Sequence, residues 1–244
     1  MICSKSRQPY IHYTMNQSDS LSSGAGREMR MVRQYGLAVA LFILLWMVKG
    51  AEQFIDFEFT HLGIYPLSAQ GLIGILTAPL VHADIGHLAN NAFSLLVLGG
   101  LMSYFYPTLF FKVLLLGWLI TGSWVWVFAR DAWHIGASGL VYSLASFLLI
   151  SGLIRRNPNL LAITLLVVFL YGGLTWGVFP VQQHISWESH LMGMISGILL
   201  AIFFRKHGPP QKKYSWDDEP DDSDTGPSGT LFLEEEEDDE YGKP

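Results

Sequence analysis

Six long apolar stretches constrain the fold of this chain more than any other feature of its sequence. A helix that crosses a bilayer needs about 20 mostly apolar residues. Six segments approach that length: residues 35–54, 85–106, 109–128, 136–154, 160–180 and 185–204. Only 15% of the residues are charged, against about 25% in ordinary soluble domains. The sequence therefore predicts an all-α polytopic membrane protein with six transmembrane helices.

Basic residues around these segments indicate their orientation, because short cytoplasmic loops are enriched in Lys and Arg. With both termini in the cytoplasm, only Lys49 and Arg130 among the flanking basic residues fall outside, and Lys49 would have to extend towards the interface. The residues that then share the cytoplasmic side are Arg27, Arg30, Arg33, Lys112, Arg155, Arg156, Arg205, Lys206, Lys212 and Lys213. We expect a multi-pass protein of a bacterial inner membrane, since no targeting segment is visible.

Charge and composition divide the chain into three regions. Residues 1–33 are polar and are expected to form a flexible cytoplasmic arm, and residues 34–207 are expected to form the membrane domain. Of the 21 acidic residues, 13 lie between Asp217 and Glu240, so residues 208–244 are expected to be a disordered acidic cytoplasmic tail. A docking role for this tail, with Leu231, Phe232 and Leu233 as an anchor, is the alternative.

The first long connection, residues 50–84, is expected to be functional because it is long for a loop between packed helices. Its apolar part, residues 71–81, is too short to span and indicates an element that lies against the membrane.

Polar side chains collect in the second, fourth and sixth apolar segments. Such residues are costly inside a bilayer, so they mark candidate functional sites. The three segments run in the same direction, which brings their polar residues to one shallow layer. Within each segment the residues share a face at helical spacing: His87 with Asn91, Ser138 with Tyr142, and His190 with Gly193 and Gly197.

These residue types suit acyl transfer. A serine hydroxyl becomes a nucleophile when an adjacent base, most often histidine, removes its proton. We predict Ser138 as the nucleophile and His190 as the general base, without an acidic third member. An Asn amide, a second histidine and a backbone N–H near a helix N-terminus would serve as donors to the oxyanion. The pair Gly193 and Gly197 would let the sixth segment approach Gly139 and Ser143 of the fourth segment closely.

With these motifs, the sequence resembles the rhomboid family of intramembrane serine proteases. The matching elements are His82, His87 and Asn91 in one segment, Gly136-Ala137-Ser138-Gly139 with Tyr142 in another, and His190, Gly193 and Gly197 in a third. The resemblance covers residues 54–204 and implies a rhomboid-like six-helix bundle.

The resemblance also implies roles for these residues. Tyr142 would orient the His190 ring, while Asn91, His87 and the Ser138 backbone N–H would form the oxyanion site with His82 in support. The substrate would be the transmembrane helix of another protein, cut near its outer end, and the fifth loop and helix would gate its access. Many rhomboids carry a Trp-Arg pair in the first loop, where this chain reads Ile73-Gly74-Ile75-Leu76.

Two other functions remain open. A rhomboid-like protein could bind transmembrane clients without cutting them, although such proteins usually lack the serine or histidine. A metal or proton carrier could use His82, His87, His134 and His190. The single cysteine, Cys3, offers neither a disulfide nor a thiolate cluster. We expect no cofactor, no metal and no nucleic-acid partner, and the sequence does not indicate an oligomeric state.

Overall fold

The computed structural model describes residues 17–55, 57–170, 179 and 186–208. Within these ranges every regular element is helical, apart from one isolated bridge that pairs Ile64 with His134. The α-helices are α1 (Gln17–Ile55), α2 (Gly74–Thr77), α3 (Ile85–Phe105), α4 (Phe110–Phe128), α5 (Ser138–Ile154), α6 (Pro158–Leu170) and α7 (Trp187–Phe203). Three 3-10 turns, Phe59–Leu62, Gln70–Leu72 and Ala78–Leu80, lie in the first loop.

Three of the described helices are long and apolar enough to cross a bilayer. They comprise Glu28–Ile55 of α1, all of α3 and all of α4, whereas α5 and α7 are apolar helices of 17 residues each. Within the described residues the structure is therefore all-helical, as predicted, with three candidate membrane spans. The count of six transmembrane helices stays a prediction, because most of residues 171–185 lies outside the described ranges.

Two predicted regions also lie wholly or partly outside the described residues. The acidic tail is one, with its candidate anchor at Leu231, Phe232 and Leu233, and the N-terminal arm up to residue 16 is the other. Helix α1 begins at Gln17, well before the apolar segment predicted from residue 35. The length of an apolar segment predicts only the part of a helix that lies in the bilayer. It does not reveal a polar extension such as residues 17–34, which contain no proline to stop the helix.

Helix α5 forms the centre of the bundle. It packs against α3, α4, α6 and α7, with its largest interface on α7. Of its 17 residues, 13 are buried, and a helix that is buried on all sides belongs in the interior of a bundle. Leu144, Phe147 and Leu148 contribute to the main hydrophobic core. The N-terminal part of α5, from Ser138 to Leu148, is consequently enclosed by other parts of the structure, whereas Leu153 and Ile154 at its C-terminal end are exposed.

Helix α1 runs antiparallel to α3 along one side of this core. Near one end, a Cβ placed on Gly99 would lie 2.5 Å from the Cβ of Ala38. Near the other end, Lys49 Nζ lies 2.8 Å from the carbonyl oxygen of His82. The start of the transmembrane part of α1 therefore lies at the same end of the bundle as the C-terminus of α3.

The described part of the first loop, residues 57–84, docks on α4. The indole N–H groups of Trp118 and Trp126 donate to the carbonyl oxygens of Ile75 and Ser68, each at 2.9 Å. Leu72, Ile73 and Leu76 remain exposed. This apolar surface belongs to the part of the loop that we predict to lie against the membrane.

Candidate functional site

Ser138 and His190 meet between α5 and α7. The Nε2 atom of His190 lies 2.8 Å from Ser138 Oγ, and both side chains are buried. Ser138 is the first residue of α5, as expected for a residue near a helix N-terminus. The first N–H groups of a helix have no intrahelical acceptor, so the Ser138 N–H is suited to an external negative charge. His190 lies in the first turn of α7.

Tyr142 lies against the imidazole of His190. The two ring centroids are 4.4 Å apart and the ring planes differ by 17°, which is a stacked arrangement. Tyr142 follows Ser138 by one helical turn, so a single face of α5 carries both the hydroxyl and the ring that limits rotation of the imidazole.

Helices α5 and α7 approach each other through glycine. A Cβ placed on Gly193 would overlap the carbonyl oxygen of Gly139, and one placed on Gly197 would overlap that of Ser143. This is the contact predicted from the glycine spacing, and it brings the two backbones together as small residues permit. The proximity of Ser138 to His190 depends on this spacing.

A buried hydroxyl cluster beside the glycines was not predicted. Ser196 Oγ of α7 lies 3.0 Å from both Thr121 Oγ1 of α4 and Ser143 Oγ of α5. These hydroxyls connect three helices in the interior. The sequence offers only a weak signal for them, because serine and threonine in a membrane helix often bond to their own backbone.

The predicted oxyanion residues His87 and Asn91 lie beside Gly136, in the serine segment formed by residues 136–138. A Cβ placed on Gly136 would lie 2.7 Å from His87 Cε1 and 3.6 Å from Asn91 Nδ2. The Nδ2 of Asn91 is buried and has no hydrogen-bond acceptor within the described ranges. A buried amide that lacks an acceptor is costly, and here it lies near the segment that carries Ser138.

His82 contacts the same segment. Its Nε2 accepts a hydrogen bond from the Ala137 N–H at 3.3 Å, and its ring meets that of His87 edge-on at 5.2 Å. Burial, together with the nearby His87, lowers the pKa of His82 to about 4. His82 is therefore neutral near pH 7 and serves as an acceptor.

His134 connects three parts of the structure, a position that the sequence did not indicate. Its backbone pairs with Ile64 at 2.8 and 2.9 Å. Its Nε2 lies 3.0 Å from the Arg130 carbonyl, which only accepts, so Nε2 donates and Nδ1 accepts from the Ser186 hydroxyl at 2.6 Å. Ser186 in turn caps α7 by accepting from the Ser189 N–H. His134 thus links the segment before Ser138 to the start of the helix that carries His190.

Glu188 also has a partner that its position in the sequence did not indicate. It is buried, and its Oε1 lies 3.6 Å from Nε of Arg130. The pair joins the third loop to the first turn of α7, where a carboxylate also suits the helix dipole. The signal in the sequence was an acidic residue two positions before His190.

A small cavity lies beneath the serine segment. Its volume is about 30 Å³, and its lining includes Ala78, Thr121, Val125, Gly136 and Ser189. A cavity of about 10 to 15 Å³ is enough to hold one water molecule. The space is therefore sufficient for water close to the candidate site.

The four histidines considered for metal binding do not form one cluster. His82 contacts His87, whereas His134 bonds to Arg130 and Ser186, and His190 bonds to Ser138. Among the residues that the structure describes, no group of three His, Cys, Asp or Glu side chains is placed to hold a metal ion.

Comparisons with known proteins agree with the resemblance in the motifs. The family model of the rhomboid domain matches residues 69–207. An uncharacterized protein of Mycobacterium tuberculosis is 35% identical over 188 residues, which cover 73% of this chain and 77% of the relative. An uncharacterized protein of Mycobacterium leprae is 35% identical over 189 residues, which cover 73% of each chain.

Proposed function

This chain belongs to the rhomboid family, and from that membership we propose that it is an intramembrane serine endopeptidase acting through Ser138 and His190. The observation that carries the proposal is the 2.8 Å separation of Ser138 Oγ and His190 Nε2. A serine so close to a histidine is the minimal arrangement for nucleophilic catalysis of peptide hydrolysis.

In the proposed reaction, His190 accepts the hydroxyl proton as Ser138 Oγ attacks the scissile carbonyl carbon. The resulting oxyanion accepts hydrogen bonds from the Ser138 N–H, the Asn91 amide and His87. When the peptide C–N bond breaks, His190 gives its proton to the leaving amine. Water then attacks the acyl-enzyme with His190 again as base, which releases the carboxylic acid and restores Ser138. The buried Asn91 amide supports this assignment.

The substrates in this proposal are transmembrane helices of other proteins, cut near the outer membrane face. A helical peptide bond must first unwind, so small and helix-weakening residues near the cut favour cleavage. We place the protein in a bacterial inner membrane with both termini in the cytoplasm, and the bacterial origin of its mycobacterial relatives supports this location.

The test is cleavage of a single-span substrate by the purified protein in liposomes. Ser138→Ala and His190→Ala are each expected to abolish cleavage, and a fluorophosphonate probe is expected to label the parent but not Ser138→Ala. The matched control is Ser123→Ala, the same substitution at a half-buried serine of α4 that takes no part in the Ser138–His190 hydrogen bond, and it should cleave like the parent.

Undiminished cleavage by Ser138→Ala would refute the proposal. A different result would favour the client-binding alternative: neither the parent nor Ser138→Ala cuts the substrate, yet both retain it to the same extent during purification.

A further inference from the structure

Lys49 is a cation within the transmembrane part of α1, where charge is costly and usually has a functional reason. From the sequence we expected its side chain to extend towards the membrane interface, whereas in the structure it bonds to acceptors of the protein. It is only 11% exposed, and its Nζ lies 2.7 Å from Glu52 Oε2, 2.8 Å from the His82 carbonyl oxygen and 3.1 Å from the Ala83 carbonyl oxygen. Because an ammonium has three N–H donors, each donor has an acceptor.

The two backbone acceptors belong to the short segment that leads into α3. Directly after them, Asp84 caps α3 by accepting from the His87 N–H at 2.8 Å. The ring of His82 accepts from the Ala137 N–H, one residue before Ser138. A shift of this segment would therefore move both His82 and His87 relative to the serine segment.

Glu52 keeps the lysine in this position and also binds the start of the first loop. Its Oε2 accepts from Lys49, and its Oε1 accepts from the Phe59 N–H at 3.1 Å. An exposed ion pair at this spacing contributes little by itself. Here the pair joins the end of α1 to both ends of the first loop, so it fixes where those two ends lie relative to α1.

We propose that Lys49 is a positioning residue for the oxyanion side of the site: it holds the His82-Ala83 backbone so that His82 and His87 keep their places beside Gly136 and Ala137. Its effect on catalysis rests on the proposed peptidase function. Its effect on the His82-Ala83 segment does not, because that effect follows from the hydrogen bonds alone.

Lys49→Met is the direct test, since it keeps the length and apolar stem of the side chain and removes all three donors. The matched control is Lys112→Met, the same change at an exposed lysine of α4. Hydrogen exchange measured on the full chain in liposomes should be faster over residues 81–91 in Lys49→Met and unchanged in Lys112→Met. Parent-like exchange over 81–91 would overturn the proposal, whether or not the protein cuts peptides.

The catalytic consequence is measured on the same variants. Small displacements in a site can cost about 100-fold in rate, so Lys49→Met is expected to lower kcat and the rate of Ser138 labelling by 10- to 100-fold, with little change in KM. A lower melting temperature with parent-like kcat and labelling rate would show a merely structural lysine and overturn the positioning role. Absence of cleavage and labelling in the parent would instead contradict the proposed function.

Glu52→Gln is the second variant, for use if Lys49→Met does not accumulate as folded protein. It keeps the lysine donors and weakens the acceptor that holds them. As in Lys49→Met, hydrogen exchange over residues 81–91 should be faster and labelling of Ser138 slower, each by about 2- to 5-fold. No change in either quantity would count against the proposal.

Discussion

Gly136 determines how closely the serine segment approaches the predicted oxyanion residues. Its φ is +106°, a conformation that residues with a side chain rarely adopt. Its missing side chain also leaves space for the His87 ring, because a Cβ on Gly136 would lie 2.7 Å from His87 Cε1. Both properties require glycine at position 136. Gly136 therefore contributes through its backbone conformation and its missing side chain.

Gly136→Ala is therefore expected to impair the site. The backbone conformation alone costs about 1 to 2 kcal/mol for a residue with a Cβ, and the new methyl group would displace His87. Labelling of Ser138 by a fluorophosphonate should slow by at least tenfold. Gly50→Ala is the matched control, because a Cβ there meets nothing within 4 Å. Equal labelling of the two variants would contradict this role for Gly136.

His82 makes the stability of the fold depend on pH. Its folded-state pKa of about 4 lies below the ordinary histidine value of 6.5, so the unfolded chain binds the proton more readily. The contribution of neutral His82 is complete above pH 6.5 and is lost as the pH falls towards 4. Each pKa unit corresponds to about 1.4 kcal/mol, which makes the loss about 3 kcal/mol.

Melting temperatures in detergent between pH 7 and pH 4 would measure this effect. His82→Gln should show a shallower decrease than the parent, whereas His61→Gln, at an exposed histidine of the first loop, should keep the parent's dependence. If the melting temperatures of the parent and His82→Gln fall in parallel with pH, His82 is not the source of the pH dependence.

At the scale of elements, the interface between α5 and α7 determines whether serine and histidine meet. Gly193 and Gly197 let the α7 backbone contact that of α5, and the hydroxyls of Thr121, Ser143 and Ser196 add polar contacts beside them. At the start of α7, Ser186 receives a hydrogen bond from Ser189 and bonds to His134. The position of His190 therefore depends on contacts along the whole length of α7.

Gly193→Ala is expected to separate α5 from α7, because its Cβ would overlap the Gly139 carbonyl. Overpacking of this kind costs about 1 to 3 kcal/mol. The melting temperature should fall, and the loss of cleavage should be larger than the loss of folded protein. Ile202→Ala, at a half-exposed position of the same helix, serves as the control for a general effect of substitution. Full activity in Gly193→Ala would show that the close approach is not required.

At the scale of the whole molecule, the two ends of the bundle differ in chemistry. At one end, Arg155 donates to the Arg205 carbonyl at 3.0 Å and lies 5.7 Å from the Tyr106 ring centroid. At the other end lie Lys49 with its backbone acceptors and Arg130 with Glu188. The candidate site lies at this second end, away from Arg155. The proposed cytoplasmic location of both termini would place the Arg155 end inside and the candidate site outside.

Labelling of intact cells tests the orientation. In a chain with Cys3→Ser, an impermeant maleimide should react with Glu58→Cys in the first loop, and with Lys206→Cys only after the cells are opened. Both positions are exposed in the structure, so the membrane alone should cause the difference. The reverse pattern would place the candidate site on the cytoplasmic side.

Several features follow from local sequence alone. Apolar length and low charge predict membrane helices because lipid requires a continuous apolar surface, and α3 begins at the predicted residue. The polar residues Asn91, Ser138 and His190 are conspicuous because such groups are costly in lipid. Helical spacing also predicts that Gly193 and Gly197 face Gly139 and Ser143, and in the structure a Cβ on either glycine would overlap the carbonyl oxygen of Gly139 or Ser143.

Other features depend on residues that are distant in the sequence, so only the tertiary structure could decide them. Two of the three acceptors of Lys49, the carbonyl oxygens of His82 and Ala83, lie 33 and 34 residues away along the chain, so the inward direction of its side chain depends on the packing of α1 against that segment. His134 and Glu188 acquire partners only when the third loop meets α7. By itself the sequence determined which residues are too polar for lipid. The packing decided which of them meet, because a hydrogen bond depends on ångström-scale distances between helices that no local pattern specifies.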